Sequence, residues 1–254
     1  MNIISYALFG TNYGYNCVSI LRACAALFPG WQVRIHHDTS LRNNPFWAFL
    51  SKLQEAGLVQ LEYVEESRAL CRSMLWRLRP IWDPNVDCLI CRDFDSIETF
   101  RDRRAVQQFM ASGADIHAIS DEPSHVGGMM GGMVGFRAHR SCSLLQTASW
   151  DAFVSRYPID YFKRHGSDQW FMNAEIWEHY FGQACEHRFR GQGADSRTMV
   201  HFTNLDSAPV CDDIRAEVRQ MADSFANYIG AAGYRETEAN NFYRRFDLPV
   251  ICEA

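Results

Sequence analysis

Val86-Asp-Cys-Leu-Ile-Cys91 runs directly into Arg92-Asp93-Phe94-Asp95-Ser96, and this junction decides the fold class. The apolar run is of strand length and reads as a short buried strand. If strand geometry continues through the triplet, residues i and i+2 project to one side. Asp93 and Asp95 then face outward together while Phe94 turns the other way. Two carboxylates on one side attract a cation, and their oxygens suit Mg²⁺ or Mn²⁺ with a substrate diphosphate completing the shell. Ligands of open α/β sheets bind beyond the carboxyl ends of strands. Taken alone, the triplet fits a solvated turn equally well.

Outward from this strand, apolar runs alternate with helical patterns, the mark of a sheet covered by helices, so the expected class is α/β. Residues 2–9 predict a first strand, and Tyr15 to Phe28 a helix stopped by Pro29-Gly30. Trp31–His36 predicts the second strand, Pro45 opens a helix through Gly57, and Leu58–Val64 is a third strand. A helix over Ser67–Leu78 ends near Pro80, and another runs from the acidic triplet to about Ser112. Asp115–Ser120 and Val134–Arg137 are strand candidates, 142–156 and 167–180 helices, and Ala184–Arg190 a further segment. Near the C-terminus, Asp212/Asp213 cap a helix that places Ile214, Val218, Met221, Phe225 and Ile229 on one face. With no repeat and no long linker, residues 1–254 are expected to form one domain with a C-terminal helical segment over 212–254.

At 254 residues, 47% of them hydrophobic, the chain can bury a full core, which excludes disorder as its main state. The formal charge of −5 argues against wholesale binding along a phosphate backbone. No apolar run approaches the roughly 18 residues of a membrane span. The start lacks the basic flank and cleavage site of a secretory signal, so a cytoplasmic protein is expected. Nine cysteines, an odd number in a chain this large, fit reduced thiols better than a disulfide framework. Cys88 and Cys91 invite zinc, but residues three apart on a strand point to opposite faces. Trp31, Trp47, Trp76 and Trp82 offer stacking faces for a sugar, although most read as core.

Three later features follow the acidic triplet. Gly127-Gly-Met-Met-Gly-Gly-Met-Val-Gly135 lacks both the Gly-Lys-Ser/Thr ending of a P-loop and the dinucleotide spacing. Its glycines, Gly132 among them, allow backbone to approach a ligand closely or simply make a tight turn. Ser167-Asp168-Gln169-Trp-Phe-Met-Asn173 opens a helical pattern, and Asp168 with Gln169 supplies the acceptors and donors that sugar hydroxyls need. The plainer alternative is a helix start with Asp168 favoured by the dipole. In His201-Phe202 a neutral imidazole can complete a Mn²⁺ shell begun by carboxylates, although a lone histidine is more often structural.

In this order the motifs resemble those of metal-dependent GT-A glycosyltransferases, and most of all the glycogenin-like and lipopolysaccharide galactosyltransferase-like group. Ile3-Ile-Ser-Tyr-Ala-Leu-Phe-Gly10, Phe28-Pro-Gly-Trp-Gln-Val-Arg-Ile35 and Leu75-Trp-Arg-Leu-Arg-Pro80 also look like a bacterial and viral branch of such enzymes. The resemblance implies a single Rossmann-like GT-A domain with a central mixed sheet, and a nucleotide-sugar donor, usually a UDP-sugar. It further implies Mn²⁺ or Mg²⁺ on Asp93, Asp95 and His201, with Asp93 also near the ribose. Asp168 and Gln169 would hold the transferred sugar, and Tyr6, Gly10 and Thr11 would cradle the base. His201-Phe202 is followed by Thr203-Asn204 where the family has a glycine and Lys-Pro-Trp, so Arg77, Arg92 or Arg137 would replace the lysine at the phosphates.

The group mostly retains anomeric configuration, with Gln169 near the reacting face. An inverting enzyme would need a carboxylate base, for which Asp121 is the first candidate. The acceptor implied is a glycan or lipid-linked saccharide, with a nucleic-acid base or protein side chain as alternatives. Rival classes are a metal-dependent nucleotidyltransferase, which would lead with a basic glycine-rich loop that residues 5–14 lack, and a non-catalytic nucleotide-sugar-binding module.

Overall fold

The computed structural model describes residues 1–10, 17–65, 70–120, 128–188 and 199–201. The expected C-terminal helix lies outside the described residues, as do Thr11 and Asp121. The described chain is α/β, built on one mixed sheet with helices on both faces. Its strands are β1 (Asn2–Leu8), β2 (Gln32–His37), β3 (Val59–Tyr63), β4 (Cys88–Cys91), β5 (Ile116–Ser120), β6 (Val134–Arg137), β7 (Ala184–Arg188) and β8 (Met199–His201). They lie in the order β3-β2-β1-β4-β6-β5-β7-β8. Only β6 among these runs against its neighbours.

β1 and β4 sit inside the sheet with both faces covered, which is why they read as continuous apolar runs. In β4, Leu89 and Cys91 enter the core on one face while Cys88 and Ile90 enter clusters on the other. The alternation separates the two thiols, and the described cysteines are all free. Helices α1 (Cys17–Leu27), α2 (Trp47–Glu55) and α4 (Phe100–Ser112) cover the Ile90 face, with α3 (Leu70–Met74) between them in sequence. Thr99 caps α4, its hydroxyl accepting from the Asp102 N–H at 3.2 Å, and Gly113 stops it at φ +73°.

The Leu89 face is covered by a 3₁₀ segment (Leu75–Trp82), α5 (Ala138–Leu145), α6 (Trp150–Val154) and α7 (Ser167–Met172). Trp76 is wholly enclosed there, while Trp31, Trp47 and Trp82 pack at core edges.

Three expected helices differ in form. The one over 67–78 is α3 followed by the 3₁₀ turns, which pass through Pro80 because tighter winding tolerates its missing N–H. The one over 142–156 is two helices, parted where Gln146 adopts φ +51° and Ser149 caps α6. The one over 167–180 leaves α geometry at Asn173 for a π turn over Asn173–Trp177. The Asn173 amide donates to the Gln169 carbonyl at 2.8 Å, competing with the regular ladder. Among the described residues no helix is long and apolar enough to cross a membrane.

Candidate active site

β4 ends at Cys91, so the acidic triplet does not prolong the strand. It forms a turn closed by the Ser96 N–H on the Asp93 carbonyl at 3.1 Å. The expected separation survives by other means: Phe94 is buried edge-on against Tyr6, while the carboxylates of Asp93 and Asp95 stay partly exposed. From β1 the chain winds through β2 to β3 on one side, while β4 lies on the other. The turn therefore stands at the sheet's switch point, the place where ligands of open α/β sheets bind.

Arg77 reaches this turn from the 3₁₀ segment, whose placement against β1 and β4 aims the side chain upward from the core. One guanidinium nitrogen, Nη1, donates to Asp93 Oδ1, and Nη2 lies 3.8 Å from Asp168 Oδ2 at the start of α7. Arg77 is buried (2% side-chain exposure), Asp168 nearly so, and Asp93 a third exposed. Burial alone would weaken the guanidinium as a base, but Asp93 and Asp168 hold its pKa above the ordinary value. Burial, then the charge of Asp93, pushes the Asp95 carboxyl up, against a bond from the Ser96 hydroxyl at 3.3 Å and the pull of Arg77.

The glycine run closes over this group for a steric reason. A Cβ on Gly132 would collide with the Asp93 carboxylate, and one on Gly131 with Arg77 Nη2. Gly128 likewise lies against the Trp177 indole. The glycines thus make room for the protein's own charged groups. Asn173 fastens the run to α7: its Oδ1 accepts from the Met129 N–H at 3.0 Å and its Nδ2 donates to the Met129 carbonyl at 3.1 Å.

Of the expected residues, Asp93, Asp95, Arg77, Asp168 and Gly132 come together, with half-buried Gln169 beside Asp168. Gly10 ends β1 at φ +74°, its N–H donating to Ser40 Oγ at 2.6 Å. Tyr6 is not open to a ligand. It is fully enclosed, with its hydroxyl donating to Glu98 Oε1 and lying 3.2 Å from Cys24 Sγ.

Arg92 points away as well. Its guanidinium binds Asp102 bidentately at 2.9 and 2.6 Å and donates to the carbonyls of Cys91 and Val134, which occupies four of its five N–H groups in a side chain that is 3% exposed. Arg137 donates to the Met110 carbonyl and stacks over Phe109. His201 stands on β8, and the position of its side chain lies outside what the structure describes. Its strand is four places from β4, about 19 Å at ordinary strand spacing.

Among the described residues no group of three or more His, Cys, Asp or Glu side chains is placed to hold a metal. The donor set nonetheless suits a hard divalent ion shared with a substrate, which needs only one or two carboxylates from the protein. Asp93, Asp95 and Asp168 against Arg77 leave a local charge of −2. Sequence reasoning missed the buried Tyr6–Glu98–Cys24 cluster, because Glu98 sits in a polar approach to α4 that gives no sign of burial. It also missed a neutral pair, His117 Nε2 to His187 Nδ1 at 2.9 Å, whose pKa values burial lowers.

No family model and no curated protein matches the chain. Solved structures similar to it include the mannosyltransferase PcManGT from Pyrobaculum calidifontis in complex with GDP-Man and Mn²⁺ (TM-score 0.48, 11% identity, 89% of this chain). This chain spans 62% of that protein's length. S. aureus TarS 1–349 in complex with UDP-GlcNAc is also similar, with TM-score 0.45, 13% identity, 96% of this chain and 70% of that one.

Proposed function

We propose that the chain transfers a sugar from a nucleoside-diphosphate donor, with UDP-sugars the first to test, to an acceptor hydroxyl. The observation that carries this is the acid pair Asp93/Asp95 at the switch point of the sheet, backed by Arg77 and Asp168 under a glycine roof. Asp93 and Asp95 would hold Mn²⁺ or Mg²⁺, which supplies charge neutralisation for a departing diphosphate. The local charge of −2 supports that assignment, because without added positive charge the site would repel a diphosphate.

Asp168 stands as a second anion 3.8 Å from Arg77, and Gln169, next to it and half-buried, presents an amide to the sugar. The glycine run brings backbone close to Asp93 and Arg77, where fixed dipoles can act on charge that develops nearby. Retention of configuration is the stereochemical proposal, with Gln169 on the reacting face. An inverted product, read from the anomeric proton by NMR, would transfer the role to a carboxylate base such as Asp121.

The test is turnover of UDP- and GDP-sugars with Mn²⁺ and a mixed saccharide acceptor set. Release of nucleoside diphosphate is expected, and Asp95→Asn should lower the rate by about 10²–10³, as for loss of one preorganised charge stabiliser. Release of pyrophosphate, or undiminished turnover in Asp95→Asn, overturns the assignment.

A further inference from the structure

We infer that Arg77 is an internal counter-cation, held on Asp93 while the site is free of metal and handed to Asp168 when a divalent cation takes Asp93. This rests on the acid pair being a cation site. The guanidinium occupies Asp93 Oδ1, one of the oxygens that such an ion would use. It has no route to solvent, because its side chain is 2% exposed. Two cations on one carboxylate oxygen repel strongly in a site of reduced dielectric, so arrival of the ion requires Arg77 to shift.

Only one other anion pairs with it among the described residues. Asp168 Oδ2 stands 3.8 Å from Nη2, inside ion-pair range yet beyond hydrogen-bond length. The space for the move exists because residue 131 is glycine. A Cβ there would strike Nη2 and lie 3.4 Å from Asp168 Oδ2, in the gap the guanidinium must close. The side chain is also gripped at its tip alone, since its buried Nε has no hydrogen-bond partner. With a divalent ion bound, the charges of Asp93, Asp95, Asp168, Arg77 and the ion sum to zero. Arg77 is therefore a positioning residue that sets the cation affinity and couples it to Asp168.

Calorimetric titration with Mn²⁺, with and without UDP, tests this on the wild type, Arg77→Gln, Arg77→Lys and Asp168→Asn. Removing the competitor in Arg77→Gln should tighten Mn²⁺ binding, and removing the receiving carboxylate in Asp168→Asn should weaken it, each by about tenfold, a usual size for coupled sites. Arg77→Lys should stay near the wild type. A purely structural Arg77 predicts the opposite sign, weaker binding in Arg77→Gln, and that result or an unchanged affinity in Asp168→Asn overturns the hand-over. If Arg77→Gln does not fold, Asp168→Asn decides together with the arginine side-chain NMR signals during Mg²⁺ titration. These should move in the wild type and stay fixed in Asp168→Asn; signals fixed in both overturn the proposal. A wild type that binds no Mn²⁺ even with UDP refutes the acid-pair reading itself, which separates the two failures.

Discussion

Glu98 gives the folded protein a pH dependence that can be worked out in advance. The residue is 3% exposed, three positions beyond the acid pair, with Oε1 accepting from the Tyr6 hydroxyl and Cys24 beyond that hydroxyl. Burial raises its carboxyl from 4.5 to about 7. Asp102 adds to the rise, while the Tyr6 bond and Arg92 oppose it. Between those two values the folded chain holds a proton that the unfolded chain has lost. The contribution to stability is thus fully present below about pH 4.5, falls as pH rises, and is gone above about pH 7. A gap of about 2.5 pH units at 1.36 kcal/mol each makes the change about 3 kcal/mol, or roughly 6–12 °C in Tm for a chain of this size.

Glu98→Gln removes the titration and keeps an acceptor oxygen for Tyr6. Urea unfolding of both proteins from pH 4.5 to 8 is the assay, and groups common to the two cancel in the difference. The variant should gain about 3 kcal/mol on the wild type across that range, most of it between pH 5 and 7. Parallel stability curves would show that the carboxylate is solvated or paired in the folded protein and would refute the reasoning.

Gly132→Ala drives a Cβ into the Asp93 carboxylate, so it should lower stability by about 1–3 kcal/mol in thermal denaturation and abolish the Mn²⁺-induced rise in Tm. Asn173→Ala removes both bonds to the Met129 backbone. The expected cost is about 1–3 kcal/mol, with faster amide exchange confined to 128–133 as the distinguishing readout. His201→Ala should leave Mn²⁺ affinity within about twofold of the wild type, since its strand is four places from β4; a loss of tenfold or more would place the imidazole at the ion.

Local chemistry carried the α/β class in the amino-acid sequence. Short apolar runs of β1, β4, β5 and β6 fall within a residue or two of their observed limits, and Gly30 and Gly113 mark the ends of α1 and α4. Strand burial and helix stops depend on near neighbours in the chain. The pairing of Asp93 with Asp95 was legible for the same reason, though a turn and not a continued strand presents them. Helix breaks at Gln146 and Asn173 were not: the second involves a loop more than forty positions away, bound by the Asn173 side chain.

Tertiary structure alone decided which charges meet. Arg77 and Arg92 look alike as arginines near the triplet. Yet the 3₁₀ segment delivers Arg77 to Asp93 and Asp168 on one face of the sheet, and β4 turns Arg92 to Asp102 on the other. The strand order likewise sends His201 to the far edge. Strand periodicity can be read from residues two apart, but the electrostatics of a site depend on distances of a few ångströms between elements, and those exist only once the sheet has set its order.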